Sequence, residues 1–160
     1  MSFRKKYIKK YLVKLHAVLD SMEDDLILKL DEIVSILMEA RDNRNTIFFM
    51  GNGGSAATAS HFVCDLSKGT IVEGNPRFKS VSLTDNMASI MAWSNDLSYE
   101  DIFVEQLKNL MEPNDIVIGI SGSGNSSNVI KAIQYANDND GISIGLSGYD
   151  GGKLLKNAQY

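Results

Sequence analysis

Cysteine is almost absent: the 160 residues hold one, Cys64, so an internal disulfide framework is excluded. No apolar run approaches the ~20 residues that cross a bilayer. Lys9, Lys10 and Lys14 interrupt any apolar core near the start, so the opening residues do not form a signal peptide. Together these absences make the cytoplasm the expected location and leave no membrane partner. Positive charge is not in excess either. Sixteen Lys and Arg face 20 Asp and Glu, a net charge of −4, which argues against a broad nucleic-acid partner. The basic cluster of Arg4, Lys5, Lys6, Lys9, Lys10 and Lys14 has the spacing of a solvated helix face. Repeats and low-complexity segments are missing. Hydrophobic residues at 44% and charged residues at 22% leave room for a sizeable core in one compact domain.

What is present is a pair of glycine- and serine-rich turns. Gly51-Asn52-Gly53-Gly54-Ser55 follows the apolar run Thr46–Met50. Ser121-Gly122-Ser123-Gly124-Asn125-Ser126-Ser127 follows Asp115–Ile120. Each leads into a helix-like segment. A helix start leaves backbone N–H groups unpaired and carries partial positive charge. Glycine allows close approach to the backbone, and serine adds hydroxyl donors. One such turn is compatible with a simple strand-to-helix connection; two in matching places point to an anion cradle. Neither turn carries the lysine of a P-loop. The first lacks Gly-x-Gly-x-x-Gly spacing, and no acidic residue follows the next strand suitably, so nucleotide binding is disfavoured.

Ile8, Leu12, Leu15, Leu19 and Met22 form one stripe on a long first helix, which needs covering by its own sheet or by another subunit. Ser21, Glu23 and Asp24 mark a stop and restart. A second helix carries Leu26, Leu28, Leu30, Ile33, Ile36 and Leu37. Arg41–Asn45 reads as a polar loop. Strands are expected over 46–50, 80–83, 115–120 and 142–146. Helices are expected over 55–67, 86–93, 100–111, 126–137 and 153–156, with Ser94-Asn95-Asp96 as a polar turn. Apolar strands separated by helices imply a parallel sheet covered on both faces, with ligands beyond the strands' carboxyl ends. The fold class is thus α/β, a doubly wound parallel sheet preceded by two N-terminal helices.

His61 and Asp65 stand four residues apart, on one face of a helix. They suit base and acid chemistry, two ligands of a metal, or a plain surface hydrogen bond. Two donors do not complete a zinc site. Asn95 and Asp96 suit a capping turn or a polar contact. Cys64 is expected as a small buried side chain, and Met87, Met91 and Trp93 as core filling.

Gly51-Asn52-Gly53-Gly54-Ser55, His61-Phe62, Asp65-Leu66, Asn95-Asp96, the segment Gly119–Ser126 and Gly148–Lys153 together resemble the sugar isomerase (SIS) domain family. The likeness spans nearly the whole chain and implies a flavodoxin-like SIS domain over residues 1–160. Residues 1–43 would be its helical segment and 44–160 its sheet core, incomplete on the carboxyl side. Within the family, the nearest likeness is to enzymes that interconvert sedoheptulose 7-phosphate and an aldoheptose 7-phosphate for heptose-containing surface polysaccharides such as lipopolysaccharide. It implies phosphate contacts at Ser55, Ser121, Gly122, Ser123 and Ser126. It implies sugar contacts at Asn52, Gly53, Gly54, Asn95 and Asp96. His61 and Asp65 become catalytic residues and zinc ligands, and a homo-oligomer, dimer or tetramer, is implied. Where the family usually has Glu, this chain has Asp65, one methylene shorter. Family members also draw a Gln and a His from a later helix. His16, the other histidine, has no matching role. The alternatives are a non-catalytic phosphosugar-binding SIS module of the type that associates with a replication initiator, and a SIS regulatory domain of a larger regulator.

Overall fold

The computed structural model describes residues 2–22 and 24–160; Glu23, one of the three residues of the expected stop and restart, lies outside the described residues. The chain divides into two compact units, Met1–Ser35 and Ile36–Tyr160. The first holds α1 (Phe3–Asp20) and the start of α2 (Asp24–Asn43). No residue of α1 is buried; Ile8, Leu12, Leu15 and Leu19 on it, and Met22 just past its end, are exposed. The division falls inside α2, whose last turns bury Ala40 and half-bury Ile36 and Leu37. Arg44 adopts a left-handed φ of 64° and ends the helix.

The second unit is a four-stranded parallel sheet in the order β2-β1-β3-β4. The strands are β1 (Thr46–Gly51), β2 (Lys79–Ser82), β3 (Ile116–Ser121) and β4 (Ile142–Ser147). β1 and β3 are buried along their whole length, as continuous apolar runs require in a sheet covered on both faces. Side-chain alternation sends Phe48, Met50 and Val117 into a core shared with Ile102, Phe103 and Leu107 and with Val129, Ile133 and Ala136. Phe49, on the other side, stacks on Phe62 with ring centres 5.4 Å apart. Phe62 belongs to α3 (Gly54–Cys64), so the sheet is covered on two faces, as the doubly wound expectation requires.

α3 ends in a π turn, Asp65–Gly69, where one unbroken helix was expected to Ser67. α4 (Met87–Asp96) starts at the Asn86 cap, whose side chain accepts from the Ser89 N–H, and absorbs the expected 94–96 turn. α5 (Val104–Leu110) begins later than expected, because Ser98 bonds Asp101 and the Glu100 N–H and holds the preceding residues in turns. α6 (Ser127–Asp138) buries Val129, Ile130 and Ile133, as its spacing predicts. α7 (Leu154–Asn157) follows the 148–153 loop. Two packing expectations are corrected. Cys64 is exposed, and Met87 and Met91 are 60% and 66% exposed. Trp93 does pack against the core.

Candidate functional site

The strand order places the site. From β1 the chain crosses outward to β2, and from β3 it crosses outward to β4. The direction of winding therefore reverses between β1 and β3, where doubly wound sheets bind ligands. Gly51 is in register with Ile120, so the two glycine-serine turns leave neighbouring strands at the same level. Asp115 secures the far end of the same strand pair, accepting from the Thr46 N–H (2.6 Å) and the Glu112 N–H (2.9 Å).

In the first turn, Gly51 lies under Ser55; a Cβ there would sit 2.7 Å from the Ser55 Cβ. Gly53 and Gly54 are exposed, and Gly53 has the left-handed φ of 55° that glycine tolerates. In the second turn, Ser121 is buried and its Oγ lies 2.9 Å from that of Ser126, within hydrogen-bond distance. Ser123 Oγ accepts from the Asn125 N–H at 3.2 Å. Gly122 and Ser123 are exposed. The 148–153 loop buttresses this turn: the Gly148 and Leu154 N–H groups donate to the carbonyls of Gly122 (3.0 Å) and Gly124 (2.9 Å). The turns are tied together by Asn52 and Asn128, whose side-chain amides exchange two hydrogen bonds of 2.8 and 2.9 Å.

His61 Nε2 lies 3.3 Å from Asp65 Oδ2, and both side chains are largely exposed. The pair borders an open depression of about 390 Å³, lined also by Ala57, Thr58 and Phe62. None of the cradle serines lines it. His61 and Asp65 therefore border a different depression from the serine turns. Along α3, His61 is six residues and roughly 9 Å from Ser55. Asn95 and Asp96 end α4, exposed, with Asn95 Nδ2 donating to Asp96 Oδ1 at 2.8 Å. Tyr99, three residues on, donates its hydroxyl to Asn52 Oδ1 at 2.9 Å, so this segment reaches the first turn.

A zinc ion needs three or four protein ligands, or three and a water. Among the described residues no group of three His, Cys, Asp or Glu could hold one. His61 and Asp65 fit two positions, and the described residues supply no third beside them. Among the described residues no helix is long and apolar enough to cross a membrane. His16 lies on α1, in the other unit.

Asn128 and Tyr99 escaped the sequence reading. A signal for Asn128 existed: it shares the i, i+4, i+8 stripe with Ala132 and Ala136, both fully buried, and is itself 2% exposed. A polar residue on a buried helix stripe must find partners. Tyr99 gives no comparable signal.

Residues 10–148 match the SIS domain family. The chain is 37% identical over 147 residues to a phosphoheptose isomerase of Helicobacter pylori, spanning 92% of this chain and 76% of that protein. It is 40% identical over 130 residues to a probable phosphoheptose isomerase of Thermoplasma acidophilum, spanning 79% and 71%. The solved phosphoheptose isomerase of Neisseria gonorrhoeae superposes with a TM-score of 0.86 at 28% identity, covering 99% of this chain and 82% of that one. That of Francisella tularensis gives 0.85 at 25%, with the same coverage. With its switch-point turns and a likeness that spans most of its length, this chain belongs to the SIS domain family.

Proposed function

We infer that this chain is a phosphosugar isomerase of the phosphoheptose isomerase type, an aldose–ketose isomerase acting on sedoheptulose 7-phosphate and an aldoheptose 7-phosphate. The observation that carries it is the convergence of two amide- and hydroxyl-rich turns at the switch point, with an acid-base pair farther along α3. A seven-carbon ketose carries its phosphate at one end and its carbonyl at the other. An anion cradle separated from a proton-transfer pair by two helical turns suits such a substrate.

Ser121, Ser123 and Ser126, the amides around Gly122 and the Ser55 hydroxyl hold the phosphate. Asn52, Gly53, Gly54, Asn95 and Asp96 hold sugar hydroxyls. The Asp65 carboxylate takes a proton from C1 of the ketose. The freed electron pair forms the C1=C2 bond of an enediol while the C2 carbonyl oxygen gains a proton. The proton then returns to C2 and the C1 hydroxyl loses its own, leaving the aldehyde. His61, beside Asp65, exchanges protons with the oxygens. His61 and Asp65 would hold two positions of a zinc ion, and the chemistry such an ion would supply is Lewis-acid polarisation of the carbonyl. The exposed apolar stripe of α1 supports self-association into a dimer or tetramer. Heptose for surface polysaccharide is the pathway this reaction serves.

Asp65→Ala tests the assignment. It should lower turnover of sedoheptulose 7-phosphate by at least about a hundredfold, the typical share of a general base. Binding of the same sugar phosphate, read by calorimetry, should persist. Full turnover in the variant, or none in the wild-type protein supplied with zinc, refutes it.

A further inference from the structure

The Asn52–Asn128 pair has a definite polarity. The Val129 backbone N–H lies 2.9 Å from one atom of the Asn128 amide, and because an N–H only donates, that atom is Oδ1. The same oxygen accepts from Asn52 Nδ2 (2.8 Å), and Asn128 Nδ2 donates to Asn52 Oδ1 (2.9 Å). Asn52 Oδ1 also receives the Tyr99 hydroxyl at 2.9 Å. A carbonyl oxygen has two lone pairs, and both are now used. Asn52 therefore has one N–H left to offer. Tyr99, its single proton committed, has only lone pairs left. Asn128 is 2% exposed and Tyr99 55% exposed, so the arrangement is anchored inside and open outside.

We propose that Asn128 and Tyr99 set the hydrogen-bond polarity of the sugar side of the site, Asn128 as a positioning residue and Tyr99 as a direct contact. Asn52 presents one donor and Tyr99 one acceptor, side by side, to the polyhydroxylated chain of the substrate. A sugar hydroxyl can donate to one and accept from the other. The phosphate, an acceptor only, is read by the second turn and the Ser55 hydroxyl and gains nothing from Tyr99. The proposal rests on the isomerase reading above and adds two residues to it.

The test compares a sugar phosphate with inorganic phosphate in Asn128→Asp and Tyr99→Phe. In Asn128→Asp the carboxylate still accepts from Val129 and Asn52 but sets a second acceptor against Asn52 Oδ1. An acidic group in the first turn of α6 is compatible with the helix dipole. KM for sedoheptulose 7-phosphate should rise about tenfold in Asn128→Asp and about threefold in Tyr99→Phe, with kcat within about twofold. The inhibition constant of inorganic phosphate should stay put. An unmoved KM in both variants overturns the proposal. So does a parallel rise for inorganic phosphate, the mark of a merely loosened fold. If Asn128→Asp does not fold, Tyr99→Phe decides alone. If the wild-type protein shows no turnover, the isomerase reading fails by itself. Calorimetric affinities for the same two ligands then decide: selective weakening for the sugar phosphate supports the proposal, and equal or no weakening overturns it.

Discussion

Gly122 and Gly124 stand two residues apart in the second turn, yet alanine at the two positions should behave differently. Gly124 has a φ of +66°, which costs an L residue about 1–2 kcal/mol. A Cβ there would lie 2.0 Å from the Gly151 oxygen, 2.5 Å from its carbonyl carbon and 3.0 Å from the Gly152 nitrogen. All three are backbone atoms, so no side-chain rotation relieves the contact. The 148–153 loop must retreat, breaking the bonds from Gly148 N–H to Gly122 O and from Leu154 N–H to Gly124 O, about 1 kcal/mol each. The sum is about 3–4 kcal/mol, or a fall in Tm of about 10 °C for a chain of this size. Gly122 has no heavy atom within 4 Å of an added Cβ, and its φ lies outside the left-handed region. Gly122→Ala should keep its Tm within about 2 °C. Thermal melts by circular dichroism read both. Equal losses in the two variants, or a shift below about 2 °C for Gly124→Ala, would refute the steric argument.

Three further outcomes are expected. Asp115→Ala strips two N–H groups at the β1–β3 end of their acceptor and should lower stability by about 3 kcal/mol, seen as a lower urea midpoint at constant slope; an unchanged midpoint counts against it. The Lys131 ammonium, with help from the Ser98 hydroxyl, holds the Asp101 carboxyl below the usual carboxylate range. A depressed pKa stabilises the fold above the ordinary value near 4 and loses that contribution as pH falls through the lower folded value. Lys131→Met should therefore melt below wild type at neutral pH and converge with it in acid; a pH-independent gap would contradict the pairing. Asp65→Glu restores the longer arm usual in the family and should raise kcat about tenfold, since about 1 Å of misplacement is worth up to a hundredfold. A fall in kcat would show that the π turn after Asp65 already suits the shorter side chain.

Continuous apolar runs made β1 and β3 legible to within a residue, because strands buried on both faces leave that trace, and the partly buried β4 was placed as closely. The turns could be placed at one sheet edge for the same reason: parallel strands must put them there. Less of the local detail was visible. Hydrophobic periodicity has no means of registering the widened turn at Asp65. Nor does it register Ser98 and Asp101 holding residues 98–103 out of the helix until Val104. Cys64, Met87 and Met91 lie outside because apolar character permits burial without requiring it. At the candidate site, the serines and His61–Asp65 could be singled out by type and spacing. Asn128 needed the helix stripe, and Tyr99 needed the three-dimensional path of the 97–103 segment.

The central strands come together late along the chain. Thr46 and Asp115, which join their starts, are 69 residues apart, and Asn52 and Asn128, which join their ends, are 76 apart. Closing loops of that length is slow compared with local contacts. The two turns meet only once this long-range docking is complete. Ligand affinity should thus report on cooperative folding of the whole sheet, and a saturating sugar phosphate should protect amides in β1 and β3 from exchange as one unit.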